Sequence, residues 1–303
     1  MARLAVAIFH GIGCQGRKFA DGMIHQLQRR LVGAIGGDSL SLPNFCFQPI
    51  EWGDVLQPCE DELCTRLGLS ANAPWHSVRR WMVDRLGDAI AYEPSHNHRQ
   101  WYDSIRGSIA RQLGELACTA GPESPLCVIA HSFGSIVAYN YFRDQQIELA
   151  PSTEVSKLPE ETALAAGHTL AQVITLGSPL GLWSIRHPTE SVPLELPARQ
   201  LAERYPALHG LWLNIYGTSD VLGFSLEALN MAPAGAVIDA PIRLGGLLTG
   251  WNPLSHGNYW RDHVVLDSVA ASLRHLALSL NEVAPPAFQG CSTVISDDES
   301  FSR

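Results

Sequence analysis

Charge is scarce in this sequence. Asp, Glu, Lys and Arg together make up 17% of its 303 residues, against 46% hydrophobic residues. A chain so poor in charge can bury a large core, and extended disorder is not expected away from its ends. Basic charge is the scarcer sign: 21 Lys and Arg against 30 Asp and Glu leave a net charge of -9, with no Lys/Arg block. That argues against nucleic acid as a partner and against attraction to an anionic membrane surface. Long apolar runs are also missing. None approaches the roughly 18 residues needed to cross a bilayer. The run after Arg3 stops at His10, where turn residues stand instead of a small-residue cleavage site, so it does not read as a signal peptide. A cytoplasmic location is the resulting expectation. Paired cysteines are lacking too. Cys14, Cys46, Cys59, Cys64, Cys118, Cys127 and Cys291 form an odd, scattered set without a Cys-x-x-Cys pair. They suit buried thiols of a reducing compartment, and the Cys59–Cys64 spacing is too wide for zinc. His96-x-His98 reads as a solvated loop pair. Neither a metal nor a cofactor is expected.

What is present is an alternation of strands and helices. Leu4–Phe9 is a short apolar run that reads as a buried parallel strand. Phe19–Leu31 has apolar residues at helical spacing, closed by Gly33, Gly36 and Gly37. Phe45–Trp52, Leu126–Ala130, Ala171–Leu176, Leu211–Tyr216 and, more weakly, Ala236–Ile242 read as further strands. Arg99–Cys118, Phe133–Phe142 and Tyr259–Leu280 read as helices, and Gln145–Gly167 as a polar surface loop. Strands alternating with helices indicate an α/β protein with a mostly parallel sheet flanked by helices. The expected organisation is one domain over 1–282 with two insertions and a flexible tail over 283–303. The insertion at 54–92 is helical, broken by Pro58 and Pro74, and carries Trp75, Trp81 and Met82. It reads as a lid over the site or as a cover for a sheet edge. The other insertion, 183–209, is proline-rich and suits a cap or rim.

Chemistry concentrates at four places. Ala130-His131-Ser132-Phe133-Gly134 sits between an apolar strand and an apolar helix. A tight turn there needs small flanking residues and would expose the Ser132 hydroxyl in a strained backbone. Ala130 stands where glycine is usual, and Ser132 could otherwise simply cap the helix. His10-Gly11-Ile12-Gly13 follows the first strand. Its glycines let a backbone N–H turn toward a developing oxyanion, with Ile12 the expected donor and Gly13 the alternative. Phe133 is the second expected donor. Asp220 follows a strand end, where the catalytic groups of parallel sheets gather. Asp239, inside its strand, is the rival acid. His256 lies in a loop before the last helix, and His263 within that helix is the rival base. The chain order Ser132, Asp220, His256 suits a nucleophile–acid–base triad. His10 and His131 flank the site and are expected to be structural or to line the substrate pocket.

These residues, together with Thr175-Leu176-Gly177-Ser178-Pro179-Leu180 and Ser255-His256-Gly257-Asn258-Tyr259-Trp260, resemble lipase- and esterase-like α/β-hydrolases. The opening His-Gly-Ile-Gly and the Gly-Ser-Pro-Leu resemble a bacterial branch of that class. The resemblance spans roughly residues 4 to 280. It implies an α/β-hydrolase fold lacking the usual leading strands. It also implies an ester-cleaving activity with triad roles for Ser132, Asp220 and His256, but no particular substrate. An acyl-enzyme on Ser132 is the expected route, and the many Trp, Leu and Pro residues of the two insertions suggest an apolar acyl pocket, hence a lipid-like or short acyl ester as a small-molecule substrate. Thioester or amide cleavage and acyl transfer could use the same residues. A binding protein that kept the fold and lost turnover is the rival of another class.

Overall fold

The computed structural model describes residues 3–33, 44–69, 76–92, 100–148, 162–186, 193–244 and 253–282. The first apolar run forms strand β1 (Arg3–Phe9), buried from Leu4 onward. Helix α1 (Asp21–Gly33), strand β2 (Asn44–Ile50) and three helices follow: α2 (Gln57–Arg66), α3 (His76–Ala91) and α4 (Gln100–Ala120). Strand β3 (Leu126–His131) runs into α5 (Phe133–Glu148), and β4 (Leu170–Leu176) into the short helices α6 (Leu180–Trp183) and α7 (Arg199–Arg204). β5 (Leu211–Gly217), β6 (Val237–Ile242) and α8 (His263–Glu282) complete the order.

The six strands form one sheet in the order β2-β1-β3-β4-β5-β6, and each neighbouring pair is parallel. Both faces are covered, which is why β3 and β4 are buried at every position and mostly apolar. Along β1, Ala5, Ala7 and Phe9 point into a core shared with α4 and α5, while Leu4, Val6 and Ile8 point into a second core shared with α1 and α8. The result is a parallel α/β sheet flanked by helices, in which β1 carries the His-Gly-Ile-Gly loop. The outer strands β2 and β6 each contain a proline, Pro49 and Pro241. Proline has no N–H to give to a ladder and is tolerated at a sheet edge.

Topology fixes where chemistry can occur. From β1 the chain moves outward to β2, then returns past β1 to β3 and continues the other way. At such a reversal a crevice opens beyond the carboxyl ends of the strands. His10 directly follows β1, and Ser132 directly follows β3.

Some boundaries differ from the sequence reading. The last helix starts at His263, because the Asp262 carboxylate accepts from the Val264 and Val265 N–H groups at 2.8 and 3.3 Å and caps it. Pro253–Trp260 ahead of it is a 3-10 helix. The 183–209 segment divides between the two ends of the sheet. Trp183 packs on Phe133 at the carboxyl end, whereas the Ala198 N–H donates to the Leu170 carbonyl at 2.8 Å, at the start of β4. The second part therefore underlies the sheet instead of capping the crevice. Leu164, Ala165 and Ala166, expected in a polar loop, are buried. Trp75, the Trp81 and Met82 side chains, Gly36, Gly37, His96, His98, Cys291 and the 283–303 tail lie outside the described residues.

The turn from β3 into α5 depends on Gly134. A methyl group there would stand 2.1 Å from the His10 carbonyl oxygen, a backbone atom that cannot swing away. Gly107 in α4 has nothing within 4 Å of such a position. Gly134→Ala is expected to lower stability by about 3 kcal/mol or more, and Gly107→Ala to raise it by about 0.5–1 kcal/mol. Denaturant titration of both variants checks this; a Gly134→Ala protein as stable as the parent would contradict the close approach.

Candidate active site

Ser132 occupies the sharp turn between β3 and α5. Its φ is 52°, in the left-handed region, and among the described residues Asn230 is the only other non-glycine there. Such a conformation costs about 1–3 kcal/mol and persists only where its surroundings impose it. Here the Ser132 N–H donates to the Leu176 carbonyl at 2.9 Å. The Ser132 carbonyl in turn accepts from the Ser135 N–H at 2.9 Å and the Ser135 hydroxyl at 2.6 Å. Ser135 Oγ also meets Ser178 Oγ at 2.6 Å, which ties the Gly-Ser-Pro loop after β4 to the same turn. Ser178 is thus a buried support of the turn. Ala130 is wholly buried in the sheet, consistent with the small residue the turn requires.

A hydrogen-bonded chain leads away from the Ser132 hydroxyl. Ser132 Oγ lies 2.7 Å from His256 Nε2, and His256 Nδ1 lies 2.8 Å from Asp220 Oδ2. A carboxylate can only accept, so Nδ1 carries the proton and Nε2 is left as a base facing the hydroxyl. Asp220 follows β5, and its second oxygen accepts from the Leu222 N–H at 3.0 Å. Burial acts to raise the Asp220 pKa, but hydrogen bonds from His256, the Leu222 N–H and Tyr259 outweigh it and hold the carboxyl below the usual range.

Tyr259 is the member that sequence reasoning missed. Its hydroxyl donates to Asp220 Oδ2 at 2.7 Å and accepts from the Gly217 N–H at 2.7 Å. It stands three residues after His256 on the same 3-10 helix, where i and i+3 side chains share a face. That spacing was the available signal. Gly177, with φ 57°, makes room: a methyl there would meet the Tyr259 ring at 2.5 Å.

The rivals fall elsewhere. Asp239 lies inside β6 and fastens the chain after Phe224 to the sheet, accepting from Asn214 at 2.7 Å, from the Ser225 hydroxyl and from the Leu226 and Glu227 N–H groups. His263 is an exposed first residue of α8. His131 and His10, the two expected pocket residues, are both buried. His131 Nε2 meets the His256 carbonyl at 3.0 Å, so it is a donor that steadies the loop carrying His256. Burial, with His256 beside it, pushes the His131 pKa down to about 3, and the ring stays neutral. His10 has no exposed surface, stacks on Trp52 with centroids 5.1 Å apart, and has Nε2 3.0 Å from Glu51 Oε1. It packs beneath the crevice and does not line it.

The loop after His10 passes directly over Ser132. A methyl at Gly11 would lie 3.1 Å from Ser132 Cβ, so this approach requires glycine. The Gly13 N–H donates to Asp88 Oδ2 at 2.5 Å and is therefore already engaged. No bond from the Ile12 or Phe133 N–H is formed among the described residues. Phe133 opens α5, where the first N–H groups have no helical acceptor and the helix dipole is positive.

No protein-family model and no curated protein matches the chain. Several solved structures are similar to it. A dienelactone hydrolase from Anabaena variabilis has 11% identity over 94% of this chain and 88% of its own, with a TM-score of 0.42. An esterase from Rhizomucor miehei has 14% identity over 93% of this chain and 77% of its own, with a TM-score of 0.43. A metagenome-derived lipolytic enzyme has 10% identity over 90% of this chain and 94% of its own, with a TM-score of 0.39.

Tyr259→Phe tests the contact behind Asp220. Losing the hydroxyl strips a hydrogen bond from a carboxylate and leaves the buried Gly217 N–H without its acceptor, so about 1–3 kcal/mol of stability should go at neutral pH. Because the folded Asp220 pKa is depressed, its contribution is present above the usual value of about 3.9 and is lost as pH falls through the lower folded value. The difference between parent and variant should narrow below about pH 4. Denaturation curves at pH 7 and pH 3 measure it; a gap of constant size would remove Asp220 from the account.

Proposed function

We propose that the chain is a serine hydrolase that cleaves carboxylic esters through an acyl-enzyme on Ser132. The observation that carries this reading is the unbroken chain from Ser132 Oγ through His256 to Asp220, at 2.7 and 2.8 Å. Each link has a chemical task. His256 Nε2 takes the hydroxyl proton as Ser132 Oγ attacks the ester carbonyl. The carbonyl oxygen becomes an oxyanion, which the Ile12 and Phe133 N–H groups receive, a contribution of about 3 kcal/mol for one such donor. Collapse of the tetrahedral intermediate breaks the bond to the alcohol oxygen, and His256 returns the proton to it. Water then repeats the sequence on the acyl-enzyme and frees the acid. Asp220 holds the tautomer that leaves Nε2 basic and stabilises the imidazolium in between. Tyr259 holds Asp220.

An apolar rim supports an apolar ester. Leu182 and Ile185, just after β4, are 48% and 73% exposed, and Val221 and Leu222, just after β5, are 61% and 39% exposed. Both segments leave strands at the Ser132 end of the sheet. They meet where a methyl on Gly181 would touch Phe224 at 2.8 Å. Trp183 packs edge-on against Phe133, centroids 5.7 Å apart. Exposed apolar side chains gathered beside a nucleophile suit an acyl chain or an apolar alcohol.

Ser132→Ala should lower hydrolysis of short p-nitrophenyl esters by at least about a thousandfold. It should also abolish covalent labelling by a fluorophosphonate, with folding intact by circular dichroism. Activity equal to that of the parent would move the nucleophile elsewhere, with Ser178 the next serine to test.

Asp220→Asn should cost about a thousandfold or more in kcat through the wrong imidazole tautomer. Asp239→Asn should leave kcat within a few-fold and lower the thermal midpoint instead, because its carboxylate only fastens backbone. Kinetics and melting curves of the two variants separate these outcomes, and the opposite ranking would show that β6 supplies the acid.

A further inference from the structure

The loop after β1 is gripped by two buried carboxylates. Glu51, at the end of β2, is 4% exposed and takes the His10 ring at 3.0 Å and the Gln15 N–H at 3.4 Å. Asp88, on α3, has no exposed surface and takes the Gly13 N–H at 2.5 Å. Gly13 itself has φ 89°. A methyl on Gly53 would stand 3.0 Å from the Gly13 carbonyl, so the loop also rests on backbone. On its other side, Gly11 approaches Ser132 and His131. The loop is held at Gly11, Gly13 and Gln15.

Asp88 is a costly choice for this place. It is a buried carboxylate in the last full turn of α3, the helix end whose dipole disfavours negative charge. Glu51 and Asp54 stand nearby; both act on the neighbouring Cys14 thiol, as Asp88 does. A carboxylate there supplies a strong acceptor for the Gly13 N–H.

We propose that Asp88 is a positioning residue for the reaction: by engaging the Gly13 N–H it fixes the loop so that the Ile12 N–H is the donor presented to the oxyanion. This rests on the reading of Ser132 as the acyl nucleophile. It gives the 54–92 segment a task beyond lid or edge cover. The α3 helix is tied to the oxyanion loop by a bond joining residues 75 positions apart in sequence, and what moves α3 moves the loop. What matters is the position of the acceptor, not its charge. A full negative charge beside a forming oxyanion is a drawback, and Asn offers the same oxygen without it.

The test compares the parent with Asp88→Asn, Asp88→Ala and Asp88→Glu, using kcat, KM on a p-nitrophenyl ester, and thermal midpoint. Asp88→Ala should lose about tenfold or more in kcat with KM within about twofold, since the interaction acts only in the transition state. Asp88→Asn should stay within about threefold of the parent or exceed it. If the Ala variant does not fold, Asp88→Glu decides, because its extra methylene displaces the Gly13 contact while keeping a carboxylate; it should lose kcat as the Ala variant would. A parent-like kcat in the deciding variant, a loss in KM alone, or an Asn variant as impaired as the Ala variant would each overturn the proposal. Fluorophosphonate labelling of the parent separates the two layers. An unlabelled, inactive parent defeats the nucleophile reading, and the positioning role with it. A labelled, active parent whose kcat ignores residue 88 defeats the positioning role alone.

Discussion

The close approach of α5 to the end of β1 is the constraint on which the rest depends. The helix backbone at Gly134 reaches the His10 carbonyl with no room for a methyl group. Only a sharp turn at Ser132, in the left-handed region, delivers the helix there. That one approach sets three things together. It lifts the Ser132 hydroxyl above the strand ends, places the first N–H groups of α5 beside it, and brings the loop after β1 against Ser132. The conformational cost of the turn is offset by bonds reaching in from β4 and from Ser178. The site is thus a consequence of helix–strand packing at the sheet's reversal, held from several sides.

A second theme is the support of acceptors by elements that are themselves fixed. Asp220 is held by Tyr259 and the Leu222 N–H, Tyr259 by the Gly217 N–H, and the His256 carbonyl by His131. The side-chain polar atoms of Asp220, His256 and Tyr259 are all engaged. An imidazole restrained in this way loses little orientational freedom when it takes up a proton.

Much of this was legible in the sequence, and the limits have physical causes. The parallel sheet could be read because strands buried on both faces are mostly apolar without a polar alternation. Ser132, Asp220 and His256 could be brought together because each falls at a strand end or in a loop, and parallel strands gather their carboxyl ends on one side. Asp88, Glu51 and the pairing of Tyr259 with Gly217 could not be read so. Their partners are tens of residues away, and nothing in local spacing marks a carboxylate in a helix as the acceptor for a distant loop. Which of its two expected roles His10 fills, structural or pocket-lining, could not be read for a related reason. A histidine beside a glycine turn looks accessible, yet the stack on Trp52 and the Glu51 contact that bury it come from another strand. Asp262 was a plain capping signal for the start of α8. It was masked by the apolar Tyr259 and Trp260 ahead of it, which belong to the 3-10 helix that carries His256.

The prolines of the outer strands bear on how the protein behaves among copies of itself. Among the described residues β2 and β6 border the sheet, and a border strand is a row of backbone groups that could template another chain. Pro49 and Pro241 take one donor out of each border. An incoming strand would have to leave a carbonyl unmatched at the same level on every attempt, so growth by strand addition is interrupted on both sides. Pairing at either border is therefore discouraged by the strands' own chemistry, where an unbroken edge would invite fibrous growth.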